Sequence, residues 1–439
     1  MASIARTIAY KALREWDRNK SDPHQIIAGL TRGTLKPEDR AFARDLFFGV
    51  IKYQRKIDYF AKHYYQSKSL SSRLQPIIRL AFYQLINNTN IPSYAVVSES
   101  VELASKFCSK SQAGFVNAVL RSYLRGPDKV ELSPKSEKPI EYLGITYSFP
   151  DWLVKRYVRR FGFADTERLL DWCNQPPELC FFVNKSISSE SEVEKRLAGR
   201  EIGFHKIGNF PGYYIGESPQ QLLHSDIFGD GLVIIGDPAQ SLACRALQAK
   251  PGSTVADLFA APGGKSAALA SNVGSHGAVL SSDYSIIRAK TMKTNLERWK
   301  SGNIFIFISD LLKFASSRKF RYILADVPCS GTGTLRRNPD LRWNLQPEDI
   351  GKQARRQKRL IKAAADLLEP GGRLVYSTCS LEPEENDNII VNFLKHNSKY
   401  RLTGIEELRS FEVRPGVYQV RPDIEKSDGA FVAVLEKTA

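Results

Sequence analysis

Nowhere in its 439 residues does the chain carry the run of about 18 apolar residues that a membrane-crossing helix needs. The opening residues, Met1-Ala2-Ser3-Ile4-Ala5-Arg6, lack the apolar centre of a signal peptide. Six cysteines (108, 173, 180, 244, 329 and 379) form no C-x-x-C pair, and the six histidines show no metal-ligand spacing. These absences argue against a membrane-spanning protein, a disulfide-stapled secreted scaffold and a metal site. They predict a cytoplasmic protein with reduced thiols. No heptad pattern is sustained, so no coiled coil is expected and the chain is read as a monomer.

What is present is a globular composition, 42% hydrophobic, on a chain long enough for two or three domains. The net charge is +16, and residues 1–128 hold 20 Lys and Arg against 10 Asp and Glu. Ten of the sixteen excess charges therefore sit in less than a third of the chain. Such concentration points to a polyanionic partner, most simply a nucleic acid, rather than to general solubility.

Residues 1–127 read as helical. From Ser71 to Ile86, Leu74, Ile77, Ile78, Ala81, Phe82 and Leu85 recur at helical spacing and form one apolar stripe. Asp39–Tyr53, Tyr94–Phe107 and Gly114–Leu124 have similar periods, and a bundle of six or seven helices is expected. Residues 128–150 mix Pro, Ser, Lys and Glu and read as a linker. Residues 151–235 combine a helical stretch, Trp152–Trp172, with a strand at Cys180–Asn184 and read as a small α+β subdomain. Gly236-Asp237-Pro238 then opens a helix, with Asp237 or Ser241 as its cap.

From residue 236 to 439 strands and helices alternate. Strands are expected at Val255–Phe259, Ala278–Ser281, Ile304–Ile308, Tyr322–Ala325 and Arg373–Tyr376, with Phe431–Leu435 as a last, edge strand. Helices are expected at Ser266–Asn272, Ile286–Trp299 and Gln353–Leu368. This alternation predicts a doubly wound α/β sheet, which binds ligands at the carboxyl edge of its strands. The first strand runs into Ala260-Ala261-Pro262-Gly263-Gly264-Lys265-Ser266, a turn that lets a ligand approach the backbone. It is not a Walker loop, because Phe259 stands where that loop needs glycine, and no G-x-G-x-x-G is present.

Asp283 ends the second strand, 19 residues after Gly264, where a carboxylate accepts ribose hydroxyls. Asp310 ends the third strand and is a candidate for the adenine region. Asp257 lies within the first strand and Asp326 ends the fourth. Any one of these is as well explained as a loop cap. Together they suit a ligand with a ribose and a positive centre, and S-adenosylmethionine fits better than NAD, whose pyrophosphate would meet carboxylates.

Two strands end in thiols, Cys329 in Asp326-Val327-Pro328-Cys329-Ser330-Gly331 and Cys379 in Tyr376-Ser377-Thr378-Cys379-Ser380. A free cysteine is most often a small buried hydrophobe. Both of these, however, fall at the functional edge of the expected sheet. The C5 carbon of cytosine is a poor nucleophile until a thiolate adds to C6, after which C5 can attack an activated methyl group. N3 must gain a proton or hydrogen bond meanwhile, a task suited to Asp326. A second thiol near the adduct has a use in its collapse.

The stretches Leu80–Leu85, Ile91–Glu99 and Phe115–Arg121 resemble the NusB antitermination family over residues 3–125, which implies a helical RNA-binding domain. Residues 257–266, 326–333 with Arg336-Arg337-Asn338-Pro339-Asp340 and Trp343, and 376–380 with Glu382–Asn386 resemble RNA 5-methylcytosine methyltransferases. That likeness runs from about 145 to 439, and its paired cysteine motifs are highly specific. It implies a Rossmann-like methyltransferase domain, S-adenosylmethionine as cofactor, and Cys379 as nucleophile with Cys329 aiding release. It also implies that Lys265 reaches the active site. With the helical module, ribosomal RNA of the small subunit is the expected substrate; transfer RNA, or a non-catalytic assembly role, are the alternatives. The basic helix carrying Lys352, Arg355, Arg356, Lys358, Arg359 and Lys362, with Arg336, Arg337 and Arg342, is a candidate phosphate track or else a solvated face.

Overall fold

The computed structural model describes residues 3–33, 35–65, 69–87, 91–127, 130–314 and 318–438. The chain divides into two compact units, residues 1–174 with 338–345, and residues 175–337 with 346–439.

In the first unit, helices run over Ile4–Asn19, Pro23–Leu30, Pro37–Lys62, Gln75–Asn87, Ser93–Phe107 and Lys110–Arg125. The stripe expected from Leu74 onward faces inward, with Leu74, Ile77, Ile78, Ala81 and Phe82 all buried. The helix anticipated at Asp39–Tyr53 is longer, Pro37–Lys62, with non-helical dihedrals at Tyr53 marking a kink. Pro37 opens it, and Glu38 and Asp39 complement the positive end of its dipole.

Residues 130–150, read as linker from their composition, contain the helix Pro139–Thr146, with Leu143 and Ile145 buried; Asp128 lies outside the described residues. Trp152–Trp172 is two helices, Asp151–Phe161 and Phe163–Trp172, divided by Gly162 at φ 81°.

The second unit opens with β1 (Leu179–Val183), β2 (Phe204–Lys206), β3 (Tyr213–Gly216) and β4 (Val233–Ile235), an antiparallel sheet of order β2-β3-β1-β4. The larger sheet holds β5 (Thr254–Asp257), β6 (Ala278–Asp283), β7 (Ile304–Ile308), β8 (Phe320–Asp326), β9 (Leu368–Thr378), β10 (Tyr400–Leu402), β11 (Glu412–Arg414), β12 (Val417–Val420) and β13 (Ala430–Lys437). Its order is β11-β12-β13-β9-β8-β5-β6-β7, with β10 against β13. Strands β5 to β9 are parallel, and β10 to β13 pair antiparallel.

The strand expected as an edge, at Phe431–Leu435, is interior. Phe431 to Leu435 are buried between β9 and β12, and β11 takes one edge instead. In β8, Ile323, Leu324 and Ala325 are fully buried, as a parallel strand covered on both faces requires.

Candidate active site

Register decides what meets at the carboxyl edge. Strands β8 and β9 run parallel with Asp326 beside Ser377, and Val327 N–H donates to Ser377 O at 3.0 Å. The two loops that follow therefore leave the sheet side by side. The thiols of Cys329 and Cys379 meet at 3.3 Å across 50 residues of chain. Gly333 N–H donates to Cys379 O at 2.9 Å, and Gly429 N–H donates to Gly333 O at 2.8 Å, stitching both loops to the start of β13. A methyl group on Gly333 would lie 2.6 Å from Cys379 O and 2.8 Å from Gly429 Cα, so only glycine permits this approach.

The hydrogen bond with Cys379, then burial, then the charges of Cys379, Glu385 and Asp326 hold the Cys329 thiol well above its ordinary range. Asp326 Oδ2 is 2.8 Å from Lys265 Nζ, and its Oδ1 accepts from the Ser377 hydroxyl at 2.7 Å. Burial alone would lower the Lys265 pKa, but Asp326 outweighs it and the net shift is upward, so the side chain is an ammonium. The two side chains form a partly buried ion pair.

Beside it lies a cavity of about 320 Å³ lined by Asp257, Phe259, Ala260, Ala261, Pro262, Gly264, Lys265 and Asp326, with Gln240, Asn295, Arg298 and Trp299 across it. Gly263 takes φ 104°, a left-handed conformation, and opens the helix Gly264–Val273. Asp257 is 1% exposed; its Oδ2 accepts from Ser266 Oγ at 2.7 Å, while Oδ1 has no partner among the described residues. Burial raises its pKa to about 6, against the Ser266 hydroxyl and Lys265, which lower it.

Asp283 closes β6, buried, with Oδ1 accepting from Ser285 N–H at 3.0 Å. Carboxylates that close β5, β6 and β8 fit a cationic, ribose-bearing cofactor. Two of the expected contact residues have hydrogen-bond partners within the protein. Ser266 is fully buried, its hydroxyl donating to Asp257 and accepting from Ser281 at 2.9 Å. Asp310 is exposed two residues beyond β7, and its carboxylate caps its own turn through Leu312 N–H at 3.1 Å.

The arginines after Cys329 are not a phosphate track. Arg337 is ion-paired with Asp237 at 2.8 Å and Asp428 at 3.1 Å. Arg336 is buried and donates to Pro176 O. Arg342 is wholly buried within the first unit. It donates to the carbonyls of Lys52, Tyr147, Ser148 and Cys173 and to Asn174 Oδ1, and stacks on Phe149 at 3.8 Å. Lys352, Arg355, Lys358, Arg359 and Lys362, on the helix Pro347–Asp366, are exposed. Charge alone does not separate these two groups, because their partners lie far away in sequence. Ser377, which orients Asp326, was missed for a similar reason; its position beside Asp326 comes from strand register.

Comparison with known proteins agrees with this architecture. Residues 3–125 match the NusB family, 149–212 the ferredoxin-like domain of the RsmF/B methyltransferases, and 244–436 the 16S rRNA methyltransferase RsmB/F family. The chain is 32% identical to the probable ribosomal RNA small subunit methyltransferase B of Synechocystis, covering 99% of each chain. It is 31% identical to the probable ribosomal RNA small subunit methyltransferase B of Bacillus subtilis, covering 98% of each. The crystal structure titled PH0851 has the same fold, with a TM-score of 0.82 over all of both chains at 24% identity. A NusB domain, a ferredoxin-like domain and a methyltransferase domain in one chain, with full-length likeness to these relatives, place it in the ribosomal RNA small subunit methyltransferase B family, with S-adenosylmethionine as its cofactor.

Proposed function

We propose that this protein methylates C5 of a cytosine in small-subunit ribosomal RNA through a transient bond between Cys379 and C6. The observation that carries the reading is the meeting of two thiols at 3.3 Å at the same sheet edge as the Lys265–Asp326 pair. A thiol pair has no part in methylating an amino group or a hydroxyl. It has one where an aromatic carbon must be made nucleophilic.

Cys379, as thiolate, adds to C6. The electron pair displaced from the ring is received at N3, where the Asp326–Lys265 pair supplies a proton. C5 is then enamine-like. Bound S-adenosylmethionine supplies the electrophilic methyl group, and Asp257, Asp283 and the turn at Ala260–Gly264 are the residues that would hold it. A solvent water takes the C5 proton as the C5–C6 double bond re-forms, Cys379 leaves as thiolate, and N3 returns its proton to the Asp326–Lys265 pair. Cys329, protonated at neutral pH, donates a hydrogen bond to the departing sulfur and so favours release. The target cytosine must be unpaired or turned out of its stack for the thiol to reach C6. The exposed basic residues of the helix Pro347–Asp366 and the positive N-terminal unit are assigned to the RNA backbone.

The test is transfer from methyl-labelled S-adenosylmethionine to unmodified small-subunit ribosomal RNA, followed by digestion to nucleosides. The reading expects label in 5-methylcytidine. Label in any other nucleoside, or methylation of transfer RNA in preference to ribosomal RNA, overturns it.

A further inference from the structure

Glu385 lies outside the reaction just described, yet it is fully buried beneath both thiol loops. Its carboxylate accepts four groups. Oε1 takes Ser330 N–H at 2.9 Å and Gln357 Nε2 at 3.2 Å; Oε2 takes the hydroxyls of Ser330 and Ser380. Ser330 follows Cys329 and Ser380 follows Cys379, so one side chain grips the residue after each thiol. The remaining contacts close the same knot: Ser330 Oγ and Ser380 Oγ are 3.1 Å apart, and Asn386 Nδ2 donates to Ser380 O at 2.8 Å. Among the described residues its hydrogen-bond partners are serine and glutamine donors, which lower the Glu385 pKa while burial, the larger effect, raises it. An ionisable group held at such cost by three donors from the two loops and a fourth from the helix Pro347–Asp366 is a clamp.

We propose that Glu385 is a positioning residue for this reaction, fixing the separation of the Cys329 and Cys379 sulfurs by holding Ser330 and Ser380 on one carboxylate. The inference rests on the two-thiol reading for its catalytic meaning, but the spacing itself is measurable without catalysis. Without the clamp the loops lose their shared anchor, the sulfurs separate, and both attack at C6 and release become slower. Glutamine in its place keeps the anchor. Its oxygen accepts from Ser330 N–H and Gln357, and its amide donates to a serine oxygen.

The experiment treats the full chain with diamide, which oxidises two adjacent thiols to a disulfide and is itself reduced to the hydrazine. The Cys329–Cys379 crosslink is timed by peptide mapping. Methyl transfer by the same preparations is measured as kcat and KM. Glu385→Ala is expected to slow the crosslink at least tenfold and to lower kcat roughly a hundredfold, with KM for S-adenosylmethionine within twofold. Glu385→Gln is expected to restore both to within about fivefold.

If Glu385→Ala does not melt cooperatively, the Ser330→Ala/Ser380→Ala pair removes both hydroxyl donors and is held to the same expectations. Crosslinking and kcat within twofold of the unaltered chain in a folded variant overturn the inference. A kcat loss with unchanged crosslinking also overturns it, since the role would not be spacing. A Cys379→Ala variant that still transfers methyl groups sinks the two-thiol reading instead, whatever the crosslinking shows.

Discussion

Lys265 and Asp326 are 61 positions apart in sequence, and their charged ends are 2.8 Å apart at the mouth of the cavity. Under the proposed reaction this ion pair is what faces N3 of the cytosine. Asp326→Asn leaves Lys265 without its partner and removes the proton path to N3. The expected result is a fall in kcat of about 10²–10⁴, with cofactor affinity by calorimetry within a few-fold of the unaltered chain. A kcat within threefold would remove Asp326 from the chemistry.

Gly333→Ala tests the loop packing. Its methyl group would press on Cys379 O and on Gly429 Cα, both backbone atoms that yield only if the loops part. A loss of about 1–3 kcal/mol of stability is expected from such overpacking. Methyl transfer should fall further than that loss accounts for, at temperatures well below melting. Urea unfolding followed alongside kcat separates the two effects.

Asp257 makes stability depend on pH with a definite sign. Its pKa is about 6 in the folded chain, against an ordinary carboxylate value of 3.8. Between these values the folded state binds more protons than the unfolded one, so stability falls as pH rises from about 4 to 6 and is level above. A gap of a little over two pH units corresponds to about 3 kcal/mol. Asp257→Asn should flatten that slope when urea unfolding is compared at pH 4.5 and pH 7. Asp428, raised to about 7 by burial first and Asp237 second, adds a slope of the same sign that this variant leaves in place. Equal slopes in the two proteins would contradict the assignment.

Much of this site was legible in the sequence because its parts sit at strand ends. The apolar runs Tyr322–Ala325 and Leu374–Val375 forecast β8 and β9, and the residues after them had to fall on one edge of a parallel sheet. What could not be read was pairing. Phe431–Leu435 has the composition of a strand, but nothing local says that β12 will cover it. Arg337 looks like a phosphate ligand until Asp237 and Asp428, at opposite ends of the domain sequence, are brought to it. Residues 128–150 are polar on average, and two buried apolar side chains, Leu143 and Ile145, suffice to dock a short helix. Glu385 was visible within Glu384-Glu385-Asn386, but its partners Ser330 and Gln357 lie 55 and 28 residues upstream.

Arg342 follows from the same logic. With its guanidinium buried among carbonyls, burial lowers its pKa to about 10, the chain's nearby thiol, phenols and Asp340 opposing this. Arg342→Ala strands several of those acceptors and should destabilise the first unit by about 3–5 kcal/mol, as expected when one member of a buried polar set is removed. The check is the melting transition of the variant together with the salt dependence of RNA binding. The melting temperature should drop while the salt slope stays the same. A reduced slope with unchanged melting would return Arg342 to the RNA interface.

The central claim is that Cys379 bonds to the cytosine and Cys329 lets it go. Its most direct measurement incubates Cys379→Ala and Cys329→Ala separately with small-subunit ribosomal RNA and S-adenosylmethionine, then resolves each mixture on a denaturing gel. The account predicts no transfer and no RNA-linked protein for Cys379→Ala, and a protein band shifted by covalently bound, methylated RNA for Cys329→Ala. A shifted band with Cys379→Ala and none with Cys329→Ala would reverse the roles, and full methylation without either thiol would contradict the account outright.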